Sequence, residues 1–431
     1  MKASYGTTLN PQTLALLGVL ILRRASGAAF PVAMFIAIAG VRSIGEAALV
    51  QGIRVVAYTF TAPLRARLID RFGRARTVIP QTILSGLALI GFVFLSLAPS
   101  IPLIFALVAC AVGAVVAPAI DSVVRVMWRD IAADEQDTKR LHASDSIIEE
   151  AGFLIGPVLA STLALLTGHK EAFYLITALV LLGSAIIFVL PNFRAALKKP
   201  LPPPDPGEST ADIGKRASKQ WARTLLGPII LPPLQRIVAP LMLMGVALGV
   251  LGVLIPMASQ AQGDLALSGF AFGAISLGGI IGAFAYAALK LKTTLRNRHA
   301  ALLLLFACPL VTTLFSTDLW VIAVTLIFSG LAVTPLYINA YLMMDQDLPK
   351  GMQHEANTWV PVGNDVGYSI GIAAAGLLAH GADSLPTLGL LLGISAVLAA
   401  AYGLVQLLSR ANLDPPTRAA QKLPSPTKEP V

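Results

Sequence analysis

RARLIDRFGRAR, Arg65 to Arg76, packs five arginines and one acid into twelve residues. Residues 46–64 before it and 77–97 after it are mostly apolar. Each run is about the 20 residues that a helix needs to cross the hydrocarbon of a bilayer. A knot of charge between two such runs is expected to be a very short loop held on one side of a membrane. Its side then sets the side of every other loop.

The rest of the composition agrees with a chain built for lipid. Hydrophobic residues make up 56% and charged residues 13%, with a mean hydropathy of +0.75. Soluble domains carry roughly 25% charged residues. No run shows the alternating ten-residue pattern of a membrane barrel strand, so the spans are helical and the class is an all-α membrane protein. In a soluble chain the net charge of +9 would suggest nucleic acid. Here its placement matters more, and no nucleic-acid partner is expected. Cys110 and Cys308 lie in separate apolar runs, without the spacing of a disulfide or metal site. The five histidines are scattered near helix ends with no ligand spacing, so neither a metal nor a cofactor is expected. The first apolar run extends past a signal-peptide core and lacks an early small-residue cleavage site, so it is expected to remain as the first span.

Apolar runs separated by charge or Gly/Pro predict twelve spans: 13–40, 46–64, 77–97, 101–124, 142–166, 171–191, 236–258, 265–289, 299–316, 319–343, 355–380 and 384–408. The proline-rich, basic stretch 192–235 divides six from six. The expected domains are a six-helix bundle at 1–191, a cytoplasmic linker at 192–235, a second bundle at 236–409 and a disordered tail at 410–431. Within the linker, Lys215 to Arg223 could form a short helix on an anionic leaflet. Alternating the loops puts 27 of the 32 Lys and Arg residues on one face, leaving Arg42 and Lys170 opposite and Arg23, Arg24 and Arg54 within spans. The positive-inside rule makes the basic face, with both termini, cytoplasmic, and a cell inner membrane is the expected location. Gly113 and Pro118 in the fourth span recur as Gly330 and Pro335 in the tenth, offset by 217 residues, about half the chain. Two pseudo-symmetric bundles would produce that repeat.

The knot resembles the signature loop of the major facilitator superfamily, usually written GxLaDRxGRR. Leu68, Asp70, Arg71, Gly73 and Arg74 match it, and Ala66 replaces the first glycine. The resemblance implies a latch that holds the two bundles together on the cytoplasmic side, with Gly73 permitting a tight reversal and Asp70 facing a helix N-terminus. A merely basic loop would explain the arginines but not the Asp70 and Gly73 spacing. In the fifth span, Gly152, Gly156 and Pro157, followed by Ala160 and Ser161, look like the gxxxGPxxGG element of proton-coupled exporters, with the final glycine pair missing. A plain helix-packing motif would look much the same. Ala109 stands where many drug exporters of the superfamily carry an arginine linked to proton coupling, so any coupling group must lie elsewhere. More loosely, the chain looks like a bacterial twelve-helix, exporter-like branch.

A charge at mid-bilayer costs about 2.5–3.5 kcal/mol on insertion scales, so each needs a partner or a wet cavity. Candidates for a charge network or proton coupling are Arg24, Asp121, Arg125, Asp145, Glu149 and Glu150. Asp145 and Glu149 share a helix face, while Glu150 is turned about 100° from Glu149. By depth, Glu149 suits Arg24, and Asp145 or Glu150 suits Arg125. A fixed structural network is the alternative to a transport role. Candidate cavity residues are Arg54, Tyr337, Asn339, Trp359, Asn364 and Asp365, though Asn and Tyr could equally satisfy a kinked backbone.

The resemblance implies a secondary transporter working by alternating access on a small molecule, with proton-coupled efflux, favoured by Gly156 and Pro157, as the leading expectation and a monomer in the bilayer as its form. Import of an anionic metabolite is the nearest alternative. A nontransporting sensor is a further one. A polytopic enzyme would need clustered catalytic or metal groups and a large soluble loop, which the sequence lacks.

Overall fold

A computed structural model describes residues 11–132, 134–198, 232–289, 292–347, 353–379 and 384–408, apart from some side chains, those of Asp70 and Arg125 among them. The proposed inner-leaflet helix at Lys215–Arg223 and the tail at 410–431 lie outside the described residues. Every regular element among the described residues is helical. The first half holds α1 (Pro11–Val41), α2 (Ile44–Phe72), α3 (Arg74–Ser96), α4 (Leu103–Val115), α5 (Ile120–Ile131), α6 (Glu135–Thr167), α7 (His169–Ile186) and α8 (Pro191–Lys198). The second holds α9 (Pro232–Ala261), α10 (Ser268–Ala288), α11 (Leu295–Leu310), α12 (Leu319–Asp347), α13 (Gln353–Leu378) and α14 (Leu385–Leu408).

Among the described residues, nine helices are long and apolar enough to cross a membrane. The three remaining predicted spans differ for visible reasons. Helices α2 and α13 have the length but carry charged and polar side chains along it. The span expected at 101–124 is broken: α4 stops at Val115, and α5 starts at Ile120 and runs on to Ile131. Pro118 lies in the gap and cannot continue the ladder of backbone hydrogen bonds. Its counterpart Pro335 lies inside the unbroken α12, so the repeat in sequence does not repeat the break.

The knot is not a loop. Helix α2 continues through Arg65, Arg67, Asp70 and Arg71 to Phe72, and α3 begins at Arg74, leaving Gly73 as the single residue between them. Gly73 has φ +82°, a conformation costly for any residue with a Cβ. Its N–H closes the last turn of α2 on Ile69 O at 2.8 Å. Thr77 Oγ1 donates to Leu68 O at 2.9 Å and fastens the corner. The density of charge between two apolar runs suggested a loop, yet the backbone stays helical on both sides of Gly73.

Both halves are organised around the same kind of contact. In the first, α1 and α6 meet at Gly152 and Gly156; a Cβ at Gly156 would sit 2.7 Å from both Ala28 Cβ and Ala29 N. In the second, α9 and α13 touch backbone to backbone at Gly245, Gly249, Gly367 and Gly371. Small residues let helices approach closely where lipid supplies no hydrophobic drive. The glycines that made α13 look breakable are therefore packing surfaces in a continuous helix. A large apolar core runs through both halves, and a second cluster, with Trp128, Phe193 and Ile69, lies at the knot end. The side chains left outward, such as Phe315, Leu377 and Leu166, are apolar, as a lipid-facing belt requires.

Candidate functional site

Five charged side chains from three helices meet inside the first half. Arg24 on α1 reaches Glu149 on α6 at 3.2 Å, Asp121 at the start of α5 at 3.4 Å and Asp145 on α6 at 3.7 Å. Arg23 pairs with Asp121. Two features of the local fold produce this. The glycines at 152 and 156 let α6 lie against α1, so Glu149 comes level with Arg24. The break after α4 starts a new helix at Ile120 and brings Asp121 to the arginines. Asp145 therefore serves Arg24, whereas depth alone suggested Arg125; the side chain of Arg125 lies outside the described residues. Asp145 is buried, its side chain 8% exposed, while that of Glu149 is 37% exposed. One acid is thus sealed in and its neighbour one turn away is open. Glu150 joins no ion pair among the described residues.

The two halves meet from the end opposite the knot down to mid-depth. Gly45 approaches Gly376 and Gly52 approaches Ile372 along α2 and α13. Deeper, Gln51 Nε2 donates to Tyr368 Oη at 3.5 Å and Thr59 Oγ1 donates to Asp365 Oδ2 at 2.6 Å. Along α6 and α10, Gly269 N donates to Ser161 Oγ at 2.7 Å and Ser276 Oγ to Phe153 O at 3.1 Å. The stretch from Gly152 to Ser161 thus has two faces: its glycines receive α1, while Pro157 and Ser161 receive α10. Ser161, in place of the glycine expected from the exporter element, supplies the hydroxyl of that second contact.

His169 Nε2 and Asp264 Oδ1 clasp the far end at 2.7 Å, joining the start of α7 to the turn before α10. Burial alone would raise the Asp264 carboxyl, but the Ala266 backbone N–H and the His169 ring together hold it below its ordinary value. A depressed carboxylate contributes stability above its unfolded pKa and loses it as pH falls through the folded one. Acidification should therefore loosen the far end, by under about 1 kcal/mol because the pair is solvated. In detergent, Asp264→Asn should flatten the acid limb of the thermal-stability profile of the wild type; an unchanged limb would remove the clasp from this role.

The remaining predicted residues divide. Asp365 and Asn364 lie on α13, and Asp365 takes the inter-half bond from Thr59. Arg54 Nε donates to Gln51 Oε1 at 3.2 Å beside that layer. Tyr337 and Trp359 are half-buried against the core of the second half. Asn339 is held by hydrogen bonds inside the second half. It is fully buried, accepts from Tyr286 Oη at 2.9 Å and donates to Leu295 O at 2.9 Å, tying α10, α11 and α12 together. At the knot, Arg74 Nη1 donates to Ala196 O of α8 at 3.4 Å and Arg71 stacks on its neighbour Phe72. Asp70 has its side chain outside the described residues.

Several contributors carried no signal in the sequence. Gln51, Thr59 and Tyr368 are ordinary residues of apolar runs until two helices from different halves face them together. Arg65, read as part of the knot, is buried: it lies 4.2 Å over the Tyr58 ring and donates to Ala114 O at 3.1 Å, capping the broken end of α4.

Comparison with known proteins gives the same architecture. The sequence profile of the Major Facilitator Superfamily matches residues 14–371. The chain belongs to this superfamily. Superfamily structures overlay it along nearly its whole length. A bacterial homologue of the iron transporter ferroportin in its inward-facing state has a TM-score of 0.71 at 15% identity, covering 92% of this chain and 98% of that one. A nucleoside transporter has 0.68 at 12% identity, covering 92% and 99%. The peptide transporter POT has 0.67 at 14% identity, covering 91% and 93%. At such identities the likeness establishes the fold, not the cargo. No curated protein sequence matches the chain. Membership of the superfamily makes the protein a multi-pass membrane transporter rather than an enzyme.

Proposed function

We propose that the protein exports a small molecule by alternating access in exchange for protons, as a monomer in a cell inner membrane with both termini cytoplasmic. The observation that carries this reading is the network of Arg24 with Asp121, Asp145 and Glu149. A carboxylate one-third open beside a buried arginine can exchange a proton if the arginine's distance changes with the conformation. Desolvation favours the neutral acid and the guanidinium favours the anion, so moving α1 relative to α6 switches which form is held. The far-end contacts between halves fit one of the two end states this requires, with the knot end as the other gate. Arg74 is bonded within its own half to α8 in this state.

Proteoliposomes with an imposed pH gradient test the coupling, using a compound panel and a pH-sensitive dye to follow proton movement. Wild type should accumulate its substrate uphill. Glu149→Gln should lose uphill accumulation while keeping downhill exchange. Full uphill transport by that variant would move the proton role elsewhere, and compound binding without flux in the wild type would favour a sensor. Import of an anion remains the second reading, favoured by Arg54, which has no carboxylate within ion-pair distance among the described residues.

A further inference from the structure

We propose that a cavity at Arg54, inside the first half, binds a small organic monoanion with an apolar body, and that this is the class of molecule carried; the second step rests on the transport reading above. The cavity has a volume of about 220 Å³ and is lined by α1, α2, α3, α4 and α7. This is below the ~300 Å³ at which drug-sized pockets begin, so the ligand is small.

Charge decides its class. An arginine within a span needs a partner, and the other deep arginines have theirs. Arg23 and Arg24 have the carboxylates described above. Arg65 has the Ala114 carbonyl and the Tyr58 ring. Arg42, at the far end, donates to the carbonyl oxygens of Ser96, Leu95, Ala98 and Ile101 at 2.6–3.3 Å. Arg54 has only the neutral Gln51 amide on Nε, and neither Nη group donates to an acceptor among the described residues. Asp365, the carboxylate on α13, accepts from Thr59 on Oδ2 and lies beyond ion-pair distance of Arg54. Two free Nη groups in one plane match the two oxygens of a carboxylate.

The lining narrows the choice further. Among the described residues, Arg54 is the only charged side chain on the cavity wall. One cation without a second excludes a preference for dianions, and the absence of any lining acid excludes amines and zwitterions. Phe30, Leu89, Phe92 and Val180 supply apolar walls, with the Tyr58 and Ser85 hydroxyls as the other polar groups. Ala109 also lines the space, and a longer side chain there would fill it.

The test uses purified full-length protein in lipid nanodiscs. Benzoate is the probe, with benzamide as its neutral counterpart, benzylamine as the cation and phthalate as the dianion. Benzoate should raise the thermal midpoint in a saturable way and the other three should not. Arg54→Gln should weaken benzoate at least tenfold, Arg54→Lys less, and Ala109→Phe should abolish binding with the arginine still in place. Equal shifts from benzamide, benzoate binding unchanged in Arg54→Gln, or no shift from benzoate, 2-naphthoate or isovalerate would overturn the site. If Arg54→Gln does not fold, Ala109→Phe decides by the same readout. Counterflow of labelled benzoate in proteoliposomes separates the two readings. Binding without counterflow keeps the site and removes transport of the anion. Flux of other compounds that benzoate neither enters nor inhibits overturns the substrate class while leaving the transporter.

Discussion

Arg24→Leu is expected to cost about 3–5 kcal/mol of stability, the loss typical of removing one partner from a buried ion pair. The reason is what remains behind. Asp121 keeps Arg23, but Asp145 and Glu149 lose the one cation within ion-pair distance of them among the described residues. Asp145 is sealed from water, so it must either take up a proton or stay charged in a medium that does not solvate it. The deficit should be largest at neutral pH and shrink on acidification, as protonation removes the stranded charge. Removing the acids as well, in Arg24→Leu/Asp145→Asn/Glu149→Gln, should recover most of the stability but not the proton coupling. Thermal unfolding of the three forms in detergent across pH measures this. A loss below about 1 kcal/mol in Arg24→Leu would class the network with surface pairs and remove its structural role.

Gly156→Val is expected to be nearly as damaging, through shape instead of charge. Any Cβ at this position stands 2.7 Å from Ala28 Cβ and from the Ala29 backbone nitrogen, and neither can move without moving α1. Overpacking of this kind costs about 1–3 kcal/mol, and valine adds two methyls beyond the first clash. Helices α1 and α6 must separate, which draws Glu149 away from Arg24. Gly156→Val should therefore lower the thermal midpoint and also impair proton-linked transport in the molecules that do fold. Gly91→Ala is the control, because a Cβ there meets nothing within 4 Å. Equal behaviour of the two variants would show that the α1–α6 contact has slack that the geometry denies.

How much of this was legible beforehand depends on the kind of residue. The membrane class and most span positions follow from local composition, since about 20 consecutive apolar residues have one stable use. The match of Asp70 and Gly73 was legible because a tight reversal admits few side chains. The knot's true form was not, because charge density says nothing about whether a backbone stays helical. The break at Val116–Ala119 was half legible in Pro118, yet the same spacing at Pro335 is unbroken, so the proline permitted the break and the surrounding packing selected it. For Asn339 the sequence left two roles open, a cavity wall or a group that satisfies backbone, and its bonds to Tyr286 and the Leu295 carbonyl match the second.

Arg54 and Arg24 were equal in sequence, two arginines within spans, each needing a partner. Sequence alone determined that need, because the cost of an ion in hydrocarbon is a property of the side chain and its depth. Only the tertiary structure decided how each need is met. Close helix approach at Gly152 and Gly156 carries Glu149 to Arg24, whereas Asp365 bonds to Thr59 beyond ion-pair distance of Arg54, whose guanidinium faces a cavity. Partners of this kind come from helices far apart in the chain, and the distances between them are set by packing, which no single run of residues records.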